Sequence, residues 1–123
     1  FPYIDFKDRI LPKDMGKIYS NCLTTVLLCK KNYADHGHIT QRIHEVLPYG
    51  VITIGLKEQK GIEQFIPKSL IISDAYDLYY CIEDLDNMSL RDRQDILDEE
   101  INKLKPFDIE NVMNIFYNTI KVN

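Results

Sequence analysis

Cys22–Leu56, "CLTTVLLCKKNYADHGHITQRIHEVLPYGVITIGL", is the stretch on which the fold turns. It opens with "CLTTVLLC" (22–29), a continuous β-branched and apolar run of the kind a strand buried on both faces carries. It closes with "VITIGL" (51–56), a second run of the same character. Between them Ile39, Ile43, Val46 and Leu47 recur at i, i+4, i+7 and i+8, one face of a helix that Pro48 and Gly50 end. Strand, loop (Lys30–His38), helix and strand make a βαβ unit, which predicts parallel strands with a right-handed crossover. The crossover is short, so an antiparallel arrangement with 39–47 as a third strand is the alternative.

Outward from this unit the pattern changes on both sides. "YIDFK" near the start has strand character, and Met15, Ile18, Tyr19 and Cys22 predict a short helix, weakened by Gly16. "IEQFI" (62–66) and "SLIIS" (69–73), separated by Pro67, predict one or two further strands. From residue 74 the chain reads as helices. Asp74 is an N-cap with Asp77 three residues on, followed by an apolar stripe of Leu78, Cys81, Ile82 and Leu85. Ser89-Leu90-Arg91-Asp92 is a capping box that opens a helix to Leu104, with Leu90, Leu97, Ile101 and Leu104 facing inward. Pro106 closes it. Asp108 caps a last helix, with Phe107 placed to staple onto Val112 and with Ile109, Val112, Met113, Phe116 and Ile120 as its core face. The expected class is α+β: a small sheet within residues 1–73, packed by a C-terminal layer of about three helices.

The chain has 123 residues, enough for one domain (1–123) that buries a core without metals or disulfides. It lacks an initial Met and fits a piece of a longer chain equally well. No apolar run approaches the ~20 residues of a membrane helix, and no signal layout is visible at the start. Three cysteines, Cys22, Cys29 and Cys81, without a C-x-x-C pair argue against a disulfide scaffold and for an intracellular, reducing compartment. Asn87-Met88-Ser89 matches the glycosylation pattern, but Ser89 is better used as a helix cap.

Charge is unevenly spread. Residues 1–73 carry ten Lys/Arg against seven Asp/Glu, whereas residues 74–123 carry five against twelve. Such an acidic half repels phosphate and attracts basic protein, so nucleic acid is not the expected partner and a membrane is not either. The segment 73–87, "SDAYDLYYCIEDLDN", concentrates the feature. With Leu78, Ile82 and Leu85 inward, Tyr76, Asp77, Tyr80, Glu83 and Asp84 are left on the flank or in solvent. Tyrosine supplies rigid contact area with a hydroxyl, and surrounding acid steers a basic partner. Asp92, Asp95, Asp98, Glu99 and Glu100 continue the acidic surface on the next helix.

"NYADHGHIT" (32–40) is the competing site. At the carboxyl end of a parallel strand, with Gly37 allowing close approach, Lys31, His36 and His38 could neutralise a transferring phosphoryl group. "GHITQRIHEVLPYGVITIGL" resembles the H-x-G-H region of nucleotidylyltransferases of the cytidylyltransferase kind. That resemblance implies phosphate contacts from His38, beside Gly37, and a nucleotidyl-transfer activity. The pattern departs at its first histidine, which is Asp35 here, and at Cys29, Lys31 and Asn32 just before, and the family's later Ser/Thr-Arg signature is missing. Other chemistries have thinner support. His36, His38 and His44 with Asp35 lack the H-x-x-x-H spacing of a helical zinc site. Asp35 with Glu58-x-Lys60 is a loose match to a nuclease pattern, and nothing local activates Cys29 or Cys81 as a nucleophile. The sequence thus favours a non-enzymatic protein-binding domain, of the kind small inhibitor and immunity proteins exemplify. It is expected to need no metal or cofactor and to dock a basic partner through Tyr76, Asp77, Tyr80, Glu83 and Asp84. The alternative is a phosphate-handling enzyme domain built on the Asp35–His38 loop.

Overall fold

The computed structural model describes residues 10–121, and the "YIDFK" strand expected near the start lies outside them. The fold is α+β. Helix α1 (Pro12–Tyr19) leads to β1 (Thr24–Val26), then to the one-turn helices α2 (Lys31–Asp35) and α3 (Arg42–Val46), then to β2 (Ile52–Leu56). A 3₁₀ turn at Ile62–Gln64 precedes β3 (Ile71–Ile72), and α4 (Ala75–Asn87), α5 (Leu90–Leu104) and α6 (Ile109–Lys121) follow.

The three strands lie in the order β1-β2-β3, all parallel, with Thr24 opposite Ile52 and Gly55 opposite Ile71. The βαβ reading of Cys22–Leu56 therefore holds, and the antiparallel alternative with 39–47 as a strand does not. The central strand is buried on both faces, as its near-continuous apolar sequence requires: Ile52, Thr53, Ile54 and Gly55 are all inaccessible. Leu27, Ile43, Ile62, Ile66, Leu70, Leu85 and Leu104 close around it.

Four expectations need correction. The loop Lys30–His38 contains α2, because Lys30 O accepts from the N–H groups of both Tyr33 and Ala34 and starts a helical turn. "IEQFI" is a 3₁₀ turn rather than a strand. It lies against Gly55, where an added Cβ would come within 2.6 Å of Ile62 Cγ1, so the segment packs its side chains onto the strand instead of pairing with it. The inward face of α5 is rotated from the one expected. Leu90 is 81% exposed and Ile101 lies at the surface, while Ile96, Leu97, Glu100 and Leu104 face the core. Finally, α6 forms with Asp108 as its cap (Asn111 N–H to Oδ1, 2.8 Å), yet none of its described side chains is buried. Its expected core face points to solvent, and Phe107 stacks on Phe65, ring centroids 4.6 Å apart.

Candidate functional site

Helix α4 begins where its sequence says it should. Asp74 Oδ1 accepts from the N–H groups of Tyr76 (2.8 Å) and Asp77 (2.9 Å), and Asp77 Oδ2 accepts in return from the N–H of Ser73 (2.9 Å). This reciprocal cap satisfies donors that the first turn would otherwise leave open. Asp77, three residues after the cap as the sequence has it, thus holds the helix start as well as standing in the expected binding set. Leu85 is buried and Leu78 and Cys81 are half-buried, so the stripe at 78–81–85 holds α4 to the core, while Ile82 sits at its border.

The opposite face is open. Tyr76 is 78% exposed, and Tyr79 and Tyr80 are each 60% exposed. Tyr76, Tyr79, Tyr80 and Glu83 stand at i, i+3, i+4 and i+7 and so share one face. Tyr79 and Tyr80 meet edge to face with centroids 5.5 Å apart, and the Tyr79 hydroxyl reaches Glu83 Oε1 at 3.5 Å. Glu83 and Asp84 are exposed beside them. Tyr79 was not among the expected site residues, although its i+3 spacing from Tyr76 carried the signal.

The described ion pairs, Lys17–Asp14 and Lys31–Asp35, both fall outside the C-terminal helices. Among the described residues, the acids of α4 and α5 have no ion-pair partner. Arg93 is spent on the turn between the helices, donating to the carbonyls of Met88 and Asp86. Asp95, Asp98 and Glu99 extend the exposed acidic surface along α5, and Asp92 closes its capping box by accepting from the Ser89 hydroxyl at 2.7 Å.

Glu100 does not belong to that surface. It is fully buried, and both carboxylate oxygens lie 3.2 Å from the N–H of Thr53. The sheet explains why. Ile52 donates its N–H to Leu23 O, just ahead of β1, so the next N–H along β2 points to the other side, where β3 pairs only with Gly55 and Leu56. Glu100 supplies the acceptor that the short strand does not. Burial pushes its carboxyl up to about 7, with hydrogen bonding from Thr53 opposing the shift. The Cys81 thiol is likewise raised, by burial first and by Asp84 second, which disfavours the thiolate a nucleophile would need.

The histidine region is assembled differently from the phosphate loop that the sequence allowed. Lys31 pairs with Asp35 (3.2 Å) within α2, and His36, just past its end, has Nδ1 2.6 Å from the carbonyl of Asn32. Gly37 takes φ = +68°, and an added Cβ there would meet the carbonyl of Lys60 at 3.0 Å. The region is pinned by Lys60 N–H to Ala34 O and by Gln59 Nε2 to His38 O. His38 lies against the Tyr33 ring and, with Thr40, Gln41, Arg42 and Glu45, lines a cleft of about 310 Å³ beside Leu27 and Leu28. His44 lines a separate cleft. Of Lys31, His36 and His38, only His38 borders the cleft at the end of β1, and no metal-binding cluster forms among the described residues. Cys22, Cys29 and Cys81 are free thiols, and no described helix is long and apolar enough to cross a membrane.

No family model matches the chain, and neither the curated proteins nor the solved structures contain a significant match to it.

Proposed function

We propose that this chain is a non-enzymatic protein-binding domain that docks a basic partner through the exposed face of α4, with the acids of α5 extending the electrostatic field. The observation that carries the reading is the exposure of Tyr76, Tyr79 and Tyr80 in one helix face whose acids have no basic counterpart among the described residues. Three solvated tyrosine rings on one face offer a large amphipathic contact area at a small entropic cost, which is what interface centres use. Unneutralised carboxylates beside them accelerate encounter with a cation-rich surface and penalise acidic competitors. Asp77 contributes charge only; its carboxylate holds the helix start, so the binding set centres on Tyr76, Tyr79, Tyr80, Glu83 and Asp84.

The test is charge reversal away from the cap. Binding to a panel of arginine- and lysine-rich peptides is measured for the parent chain, for Glu83→Lys/Asp84→Lys, and for Glu45→Lys as a distant control. Loss of binding by tenfold or more in the double variant alone supports the reading; equal loss in the control reduces it to bulk charge.

A second reading rests on one observation, the cleft at the end of β1 bordered by His38, Thr40, Gln41 and Arg42. Ligand sites of parallel sheets lie at the carboxyl ends of their strands, and these side chains can donate to an anion. Under this reading nucleoside triphosphate with Mg²⁺ raises the melting temperature, and His38→Ala removes the shift.

A further inference from the structure

Helix α5 has a thin hold on the molecule. Of its 15 residues only Glu100 and Leu104 are buried, with Ile96 and Leu97 half-buried beside them, and the helix that follows buries none of its described side chains. The centre of that hold is ionisable. Glu100 lies four residues after Ile96 and four before Leu104, so the three share one line along the helix. Its carboxylate meets the N–H and the hydroxyl of Thr53 and, among the described residues, no cation. An ionised carboxylate out of water needs a counter-charge or a full set of donors, whereas the protonated form needs neither.

The surroundings do not supply that counter-charge. Strand β2, which Glu100 faces, has no titratable side chain. Lys103 donates to the Glu63 carbonyl (3.0 Å), Lys105 to Asn102 Oδ1 (2.7 Å), and Arg93 to the carbonyls of Met88 and Asp86. On α4, Cys81 packs half-buried against the same core with Asp84 beside it. From α3, His44 borders a cleft with Ile101 and Leu104. Histidine is the residue type that changes charge near neutral pH, so His44 is the control.

We infer that Glu100 is a proton-operated latch: its protonated carboxyl holds α5 on the central strand, and its ionisation lets α5 open locally while the sheet stays folded. Opening returns the carboxylate to water and exposes Ile96, Leu97 and Leu104. The direction follows from burial. It raises the carboxyl from 4.5 to about 7 in the closed form, which therefore binds the proton more tightly, so rising pH favours the open form. The opening constant climbs up to about tenfold per pH unit between these values and levels off above about pH 7. The latch sits on the core side of α5 and does not depend on the basic-partner reading.

Amide hydrogen exchange between pH 5 and pH 8, corrected for the intrinsic rate at each pH, reads the latch directly. The opening constants of the Thr53 amide and of α5 from Ile96 to Leu104 are expected to rise roughly fiftyfold over that range, while Ile54 and Leu85 stay better protected than α5 throughout. Glu100→Gln removes the pH dependence and His44→Gln leaves it. Opening of α5 that is independent of pH overturns the proposal, as does opening identical to that of Ile54 and Leu85 at every pH, which is global unfolding. A dependence that survives Glu100→Gln, or that disappears in His44→Gln, overturns it too. Should Glu100→Gln fail to fold, the parent profile and His44→Gln decide the matter by the same criteria.

Discussion

Helices α5 and α6 are near neighbours in sequence and both are amphipathic, yet they solve opposite problems. Helix α5 is rich in charge, but it buries Leu104 and an ionisable group, Glu100, against the central strand. Helix α6 has the cleaner apolar stripe and buries none of its described side chains. An apolar stripe shows that a helix face is suited to a partner; it does not say that the partner lies in the same chain. Conversely, a carboxylate on the core side is tolerated where the backbone has an unmet donor, as Thr53 does beyond the end of β3.

The sharpest way to break this contrast is truncation on each helix. Leu104→Ala removes a buried side chain and is expected to cost about 2–5 kcal/mol in denaturant unfolding. Phe116→Ala, measured on dilute protein, is expected to change stability by less than about 0.5 kcal/mol despite removing the larger group. Comparable losses would mean that α6 is part of the core after all.

Glu100 offers the next largest effect. Its carboxyl is raised from 4.5 to about 7 in the folded chain, so the folded state holds the proton more tightly than the unfolded one. The stability tied to this proton is complete below about pH 4.5, declines as pH rises towards 7, and is gone above it. At 1.36 kcal/mol per unit the loss is roughly 3 kcal/mol at most. Glu100→Gln is expected to flatten stability between pH 5 and pH 8, about the range the group titrates in, and to unfold later than the parent at the alkaline end. An unchanged slope would place the group in water.

A smaller effect separates the caps. Asp74→Ala should cost about 1 kcal/mol of global stability because α4 is docked on the core. Asp108→Ala should instead speed amide exchange within α6 and leave global unfolding within about 0.5 kcal/mol.

The legible and illegible parts of the sequence divide along the same line. Local chemistry was readable: the apolar runs at 22–29 and 51–56, and the caps at Asp74, Ser89 and Asp108, specify their own neighbourhoods. What depended on distant segments was not. Whether Ile62–Ile66 pairs as a strand or packs its side chains on Gly55 is decided by a close approach that no local pattern encodes. The burial of Glu100 was half visible, since it shares a face with Leu97 and Leu104, but its cause is the length of β3. Of the candidate sites, the tyrosine face was readable because helical spacing alone places Tyr76, Tyr80 and Glu83 together. In the histidine loop, spacing alone did not show that Lys31 turns back onto Asp35 and His36 onto the Asn32 carbonyl, which leaves His38 beside the cleft.

The measurement that tests the central claim most directly is the affinity of Tyr76→Ala/Tyr80→Ala for whichever basic peptide the parent chain binds best, alongside its unfolding midpoint. Both side chains are exposed, so the midpoint should hold while affinity falls by about tenfold or more, the effect of losing two aromatic anchors. Unchanged affinity would mean that charge alone attracts the peptide and that the tyrosine face is ordinary solvated surface.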